Sequence, residues 1–579
     1  MPTFPTSAVA ADHALASQAG LEALRLGGNA VDAAVATSFA LSVVRPYSCG
    51  IGGGGFMMIQ GPCTKSDGAV VLDYREAAPA VVTQDYFEHN EDPHASTRSG
   101  KAVGVPGTVA GLLEALERFG TLSREQVLAP AIRFARAGFA IDQHYVTSAK
   151  DMIAWFTGGS DAGQIASRKQ RFAFTWQRFL FDGSPKVGDV LQLPEQAAVL
   201  EAIAKQGKEA FYSGPIARAI IDAIHHDGGE MTLDDLASFA PKTRVPFVTR
   251  FGEYNVVSMP PPSSGGIVLA QVLSMLETRS VDLRNAIAKG HNSADYVHLV
   301  TECLKHAFAD RARWLGDADF VDVPIETMLD PARLEAAAKK IDLACTKTQD
   351  FYGVAPAPKD PGGTSHLSVV DDKGNAVACT ETINLEFGSF VSSSQLGFCL
   401  NDTIDDFAVR AGKPNAFGLM QDARNAPAPG KRPLSAMTPT IATRVPRLSE
   451  PSELPTTHVS SITPSRSPGL ESRATQIVAG GSGGPRIITA TLQSMLNVML
   501  FGMTSEDALA APRFHHQWSP HTLQLEDALL ESPLANALRA KEHDVSKRNP
   551  IGTVQLIQRK DGQWNAASDP RKGGAPAGM

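Results

Sequence analysis

The sequence predicts an α+β protein built in layers. Three observations lead there. Apolar residues recur at helical spacing over residues 12–44 and again through most of 105–345. Past Pro361 the pattern changes to short alternating strands. The order of helices, then strands, then more helices does not repeat the strand–helix–strand unit of a parallel sheet. No internal repeat is found. At 579 residues the chain is long enough for about three or four domains of ~150 residues, although large layered folds exceed that size.

The elements follow in order. "GLEALRLGGNAVDAAVATSFALSVV" reads as two helices, stopped and restarted at Gly27-Gly28-Asn29. "CGIGGGG" is a glycine loop feeding the strand "FMMI", and "VVLDYREAAPA" is the next strand, leaving through Pro79. "NVVSM" near Val256 is a strand, and the loop Pro260–Gly266 starts the helix "IVLAQVLSML". After Pro361 the strands are "SHLSVV", "AVACTET", "FCLN", "TIAT" and "TQIVAGG", and "RIITATLQSML" closes the series as a helix. Residues 446–474 are rich in Ser, Pro and Thr and are expected to form a mobile surface insertion.

Composition excludes several function classes. The net charge is −8, with no arginine-rich arm, so neither nucleic acid nor an anionic membrane is favoured as partner. The apolar run Val31–Val44 is too short for a bilayer span and contains Asp32. It lies too deep, and lacks the basic start, for a signal peptide, so no export signal is expected. None of the six cysteines forms Cys-x-x-Cys, which argues against zinc and redox motifs, and Cys379 and Cys399 read as buried thiols.

Several motifs invite chemistry. Gly50-x-Gly52-x-x-Gly55 matches a dinucleotide fingerprint, but a helix precedes it and a strand follows, the reverse of what that fold needs. Its glycines are expected to serve close packing or positive φ. "GGSGG" around Ser482 fits a nucleophile elbow between strand and helix, with Asp527 and His543 following in the order of a serine triad. The alternative is a turn presenting backbone N–H groups at a helix N-terminus. His89–His94 and His515-His516 lack metalloprotease spacing and are expected to be solvated.

The hairpin "TSHLSVVDDKGNAVACTETIN" turns at "DDKGN" and brings Thr364 opposite Thr382 or Ile383, with Asn384 one pleat further on the same face as Thr382. A threonine hydroxyl is a weak nucleophile and needs a base. If the chain is cut before Thr364, the freed α-amine, with a pKa near ~8, supplies one. Gly362-Gly363 would then let the scissile carbonyl approach the hydroxyl.

These residues, with "GGNAVDAAVA", "GGGGFMMI", "DYREAAPA", "PPPSSGG", "NDTIDDF", "KRPLSAMTPTI", "GGSGGPRII" and "APRFHHQW", resemble the γ-glutamyltransferase (γ-glutamyltranspeptidase, glutathione hydrolase) family of N-terminal nucleophile hydrolases over nearly the whole chain. The resemblance implies a four-layer αββα sandwich of two stacked, mainly antiparallel sheets flanked by helices. It implies self-cleavage into subunits 1–363 and 364–579 that form one intertwined unit. The expected reaction transfers the γ-glutamyl group of glutathione or a related donor, through a Thr364 ester, to water or to an amino acid or dipeptide. Neither cofactor nor metal is expected. Thr382 would hydrogen-bond the nucleophile, and Gly483 and Gly484 would form the oxyanion hole. Arg75, helped by Ser435, would clamp the donor α-carboxylate. Asn384 and Asp406 would hold its α-ammonium. Thr403 stands where members commonly carry Gln or Glu near that ammonium, and Ala436 where many have a second serine. Residues 410–433 resemble the lid loop of lidded members. Relatives usually act in the periplasm or outside the cell. A serine hydrolase using Ser482, or a degenerate γ-glutamyl-binding homologue, are the competing readings.

Overall fold

The computed structural model describes residues 3–65, 68–88, 90–159, 161–353, 363–409, 423–445 and 475–579. The expected insertion at 446–474, residues 410–422 of the expected lid, and His89 lie outside the described residues.

Two seven-stranded antiparallel sheets form the centre. Sheet I runs in spatial order Ala577–Gly578, Ala8–Ala11, Gly363–Val370, Ala376–Asn384, Gly54–Gln60, Val70–Asp73, Lys242–Arg244. Sheet II runs Thr3–Phe4, Gln563–Ser568, Thr553–Lys560, Thr475–Ser482, Thr440–Arg444, Tyr254–Ser258, Phe247–Phe251. Both sheets contain strands from before and from after residue 363.

The period-2 alternation of each strand sorts its apolar residues into separate layers. Phe56, Met58, Ala376, Ala378, Ile441 and Val478 meet between the sheets. Their neighbours Met57, Ile59, Val377 and Cys379 pack outward under helices that include Ala30–Val44 and Thr108–Phe119. Ala442, Ile477 and Ala479 face the helices Gly265–Thr278, Ala294–Trp314 and Arg486–Phe501 on the far side. Both faces of each sheet are therefore covered, which yields the four-layer αββα sandwich.

The early helices fall where the sequence places them, at Ala14–Arg25 and Ala30–Val44. Gly27 takes φ +89° at the stop, and Asn29 with Asp32 closes a capping box at the restart. Two strand expectations are corrected. "FCLN" is not a strand; Asn401 instead donates its side-chain amide to the carbonyls of Gly52 and Gly104 and ties that loop down. The strand of "VVLDYREAAPA" ends at Asp73, so Tyr74–Glu76 leave the sheet.

The glycine loop is explained by packing. A Cβ on Gly53 would sit 2.1 Å from the Thr382 carbonyl oxygen, and one on Gly55 2.5 Å from that of Thr380. None of Gly50, Gly52, Gly53, Gly54 or Gly55 has positive φ, and close approach accounts for Gly52 to Gly55, whereas a Cβ on Gly50 would meet nothing within 4 Å.

Candidate active site

Thr364 and Thr382 are directly opposite in the sheet I ladder, and the register shifts at Gly363, which pairs with Asn384. Parity along both strands turns Thr364, His366 and Ser368, with Thr380 and Thr382, into the space between the sheets. That space is apolar at the Val370 end and polar at the Thr364 end. His366 Nδ1 lies 2.7 Å from Thr380 Oγ1, and its ring fills the place where Gly480 has no side chain. Burial lowers the His366 pKa to about 3, so the ring is neutral.

The hydroxyl network around the Gly363–Thr364 bond has one consistent proton assignment. Thr382 Oγ1 donates to the Gly363 carbonyl at 2.6 Å and accepts from the Asn384 N–H at 2.9 Å. Its single proton is thereby used, so the 3.1 Å contact between the two hydroxyls has Thr364 as donor. Gly363 itself is required by space, since a Cβ there would lie 2.8 Å from the Leu385 carbonyl. Asn384 takes φ +73°, a left-handed conformation that asparagine tolerates better than most side chains.

Lys572 reaches the same place from the C-terminal segment. Its buried ammonium donates to the Thr364 carbonyl, lies 3.4 Å from Ser365 Oγ and from Ser482 Oγ, and pairs with Asp12 at 2.6 Å.

A charged cluster forms the other wall. Arg75 Nη1 pairs with Glu76 at 3.0 Å and Nη2 with Asp406, all deeply buried. Burial alone would lower the Arg75 pKa, but the Glu76 and Asp406 carboxylates outweigh it and hold the guanidinium above its ordinary value. Burial raises both carboxylates, with Arg75 opposing. Thr403 Oγ1 donates to Glu76 at 2.8 Å.

Between these walls is a narrow cleft open to solvent. Arg75, Thr364, Thr382, Asn384, Asp406 and Ser435 line it, together with Ala436 and Gly484. Ser435 Oγ accepts the Met437 N–H at 3.1 Å, which leaves its proton for the cleft. Gly483 and Gly484 take φ +122° and +60° in succession, a turn that disfavours side chains at both positions.

The sequence profile described as Gamma-glutamyltranspeptidase matches residues 16–450 and 458–579. The chain belongs to this family. The break in the match, 451–457, falls inside the Ser/Pro-rich stretch. Glutathione hydrolase proenzyme of Escherichia coli (strain K12) is 38% identical over 571 residues, covering 97% of this chain and 90% of that one. The proenzyme of the same name from Pseudomonas aeruginosa is 36% identical and covers 98% and 94%. Among solved structures, γ-glutamyltranspeptidase from Pseudomonas nitroreducens complexed with L-DON is 37% identical, covers 58% of this chain and 95% of that one, and superposes with a TM-score of 0.52. A cephalosporin acylase from Bacillus halodurans shares the fold across 100% of this chain and 96% of that one, at a TM-score of 0.79 and 24% identity.

Within this γ-glutamyltranspeptidase frame, six of the nine residues singled out from sequence line the cleft directly, and Gly484 makes seven. Thr403 stands behind the cleft against Glu76, and Gly483 precedes Gly484 in the turn. The serine triad is not assembled. Ser482 Oγ pairs with Thr553, His543 Nε2 with His298, and Asp527 with Lys547. His515 and His516 are buried rather than solvated; His515 is bonded to Thr489 and Gln517.

Among the described residues, His298, Glu302 and His543 come close enough together to suggest a metal site. Each already has protein partners. His298 Nε2 donates to the Asp342 carbonyl, so Nδ1 accepts from His543, while Glu302 holds the Lys305 ammonium at 2.9 Å. Sequence reasoning missed Glu76 and Lys572. Glu76 was within reach, as the acid beside Arg75, whereas Lys572 lies 208 residues from Thr364 and carries no local signal.

Proposed function

We propose that this chain is a self-processing γ-glutamyl hydrolase/transferase that cuts itself between Gly363 and Thr364 and then uses Thr364 as an N-terminal nucleophile. The observation that carries the proposal is the hydroxyl relay at the scissile bond. Thr364 Oγ1 attacks the Gly363 carbonyl carbon while its proton passes to Thr382 Oγ1, whose own proton, already pointed at the Gly363 oxygen, moves onto that oxygen. Collapse re-forms the carbonyl, hands the relayed proton from its oxygen to the nitrogen and breaks the C–N bond, leaving an ester of Gly363 on Thr364 Oγ1 and a free α-amine. Water hydrolyses that ester, giving a C-terminal carboxylate at Gly363 and restoring the Thr364 hydroxyl.

In the matured site the α-amine takes the hydroxyl proton as Thr364 Oγ1 attacks the γ-amide carbonyl of a donor such as glutathione. The Lys572 ammonium, paired with Asp12, holds the adjacent Thr364 carbonyl in place. The backbone N–H groups of Gly483 and Gly484 receive the oxyanion. The amine returns the proton to the leaving nitrogen. Water or an acceptor amine then resolves the γ-glutamyl ester by the same steps in reverse. Arg75 with Ser435 takes the donor α-carboxylate, and Asp406 with Asn384 the α-ammonium, Thr403 supporting through Glu76. A zwitterionic donor suits a wall that carries both signs of charge.

The test is intact mass together with turnover of a γ-glutamyl anilide, with and without glycylglycine. Two fragments split before Thr364, and anilide turnover, are expected; Thr364→Ala should remain one chain. A wild-type chain still intact after long incubation at neutral pH would overturn the processing step. Tight glutathione binding by a processed chain without turnover would favour the degenerate binding homologue, and loss of activity in Ser482→Ala alone would favour the serine hydrolase.

A further inference from the structure

Arg311 projects from the helix Ala294–Trp314 and is 1% exposed. Among the described residues no carboxylate lies within ion-pair distance of it, and its Nη2 has no hydrogen-bond partner. An uncompensated buried guanidinium is costly, so its retention calls for a reason. Burial lowers its pKa to about 10, and the one carboxylate that acts against this is Asp406. Its Nε donates to Ser264 Oγ at 2.9 Å, and Ser264 Oγ donates in turn to the Ser435 carbonyl at 2.8 Å. The Ser264 N–H meets that same carbonyl, and the Ser435 N–H bonds Pro262. Arg311 thus stands one hydroxyl behind the segment that carries Ser435 into the cleft.

We propose that Arg311 is a positioning residue for the donor α-carboxylate, fixing the Ser435 segment through Ser264 and balancing the charge of Asp406 when Arg75 engages substrate. This rests on the γ-glutamyl donor reading above. Arg75 is held by Glu76 and Asp406 together. To take a carboxylate, Arg75 has to share itself with a third anion. With Arg75 and Arg311 against Glu76 and Asp406 the cluster is neutral, matching a zwitterion. Without Arg311 it carries one net negative charge, which still accepts the α-ammonium but repels the α-carboxylate.

The experiment compares Arg311→Met, Arg311→Lys and Ser264→Ala with wild type on two donors. One is a γ-glutamyl anilide; the other is 4-aminobutyryl anilide, the same donor without its α-carboxylate. Arg311→Met is expected to cut before Thr364, to raise KM for the γ-glutamyl anilide tenfold or more with kcat within about twofold, and to leave KM for the 4-aminobutyryl anilide unchanged. Arg311→Lys should recover most of the loss. Equal losses on both donors, or no loss on either, would overturn the role. If Arg311→Met does not fold, Ser264→Ala reads the same chain, and an unchanged preference between the donors in that variant overturns the proposal. A wild type that turns over neither anilide removes the donor reading and this inference with it, whereas normal wild-type turnover with unaltered discrimination removes Arg311 alone.

Discussion

Asp406→Asn changes one atom in the cleft wall and isolates one interaction. The Arg75–Asp406 contact is buried, and an amide oxygen in the same place still accepts from Arg75 Nη2, so the wall keeps its shape. What is lost is the negative charge that the proposed reading sets against the donor α-ammonium. A hydrogen bond to a charged group contributes about 1.5–3 kcal/mol. At about 1.4 kcal/mol per tenfold, that is roughly a ten- to hundredfold rise in donor KM. Because Thr364, Thr382 and the Gly483-Gly484 turn are untouched, kcat should change far less. A glutaryl anilide, which has no ammonium to lose, serves as the internal control: its KM should hold or fall. Initial-rate kinetics on matured protein with both anilides gives the answer. An unchanged KM for the γ-glutamyl anilide, or equal losses on both donors, would refute the assignment of Asp406 to the ammonium.

Thr382→Val removes the hydroxyl that polarises the Gly363 carbonyl, and loss of such a donor costs on the order of 10²–10³ in rate; the fragments should appear that much more slowly on a denaturing gel, and a wild-type half-time would count against the relay. Ala436→Ser, on the cleft lining, should lower donor KM severalfold if it returns a hydroxyl to the carboxylate, and an unaltered KM would show that the position does not face it. Gly480→Ala places a Cβ 2.3 Å from the His366 ring, and overpacking of this kind costs about 1–3 kcal/mol, read as a lower unfolding midpoint in denaturant. Glu381 is pushed up by burial from 4.5 to about 7, with its bonds to Ser38 and Tyr74 opposing. The folded state therefore binds the extra proton, so this contribution to stability is complete below pH 4.5 and is lost as pH rises through about 7. Thermal unfolding from pH 5 to 8 should show that decline in wild type and a flatter profile in Glu381→Gln.

The hairpin was the most readable part of the chain because its information is local. A five-residue turn and period-2 alternation fix which residues face each other, and Thr364 duly meets Thr382. The helix pair at 14–44 was readable for the same reason, a glycine stop and an asparagine cap. Long-range charge was not. Lys572, Arg311 and the Glu76 partnership with Thr403 depend on which strands become neighbours, and side-chain identity says little about that. The histidines at 515 and 516 were misread because a polar pair in a loop resembles a solvated one until Thr489 and Gln517 are seen around it. "FCLN" has strand composition, yet Asn401 spends its amide on two loop carbonyls. Gly480 could be placed near the end of a strand from sequence, but not assigned to making room for an imidazole on the opposite sheet.

The sharing of both sheets by strands from before and after residue 363 has a consequence for the life of the molecule. Gly363–Val370 is bordered by Ala8–Ala11 on one side and Ala376–Asn384 on the other, and sheet II likewise seats Thr3–Phe4 beside Gln563–Ser568. A nick before Thr364 would turn one polymer into two without freeing either, since parting them means tearing rows of ladder bonds in both sheets at once. Refolding, by contrast, would become a search for a partner at whatever dilution the sample happens to have. Denatured before the nick, the protein should renature as a single chain; denatured after it, recovery should fall as concentration falls. Maturation on this scheme is a ratchet: the woven form is made once, from one thread, and outlasts the thread's continuity.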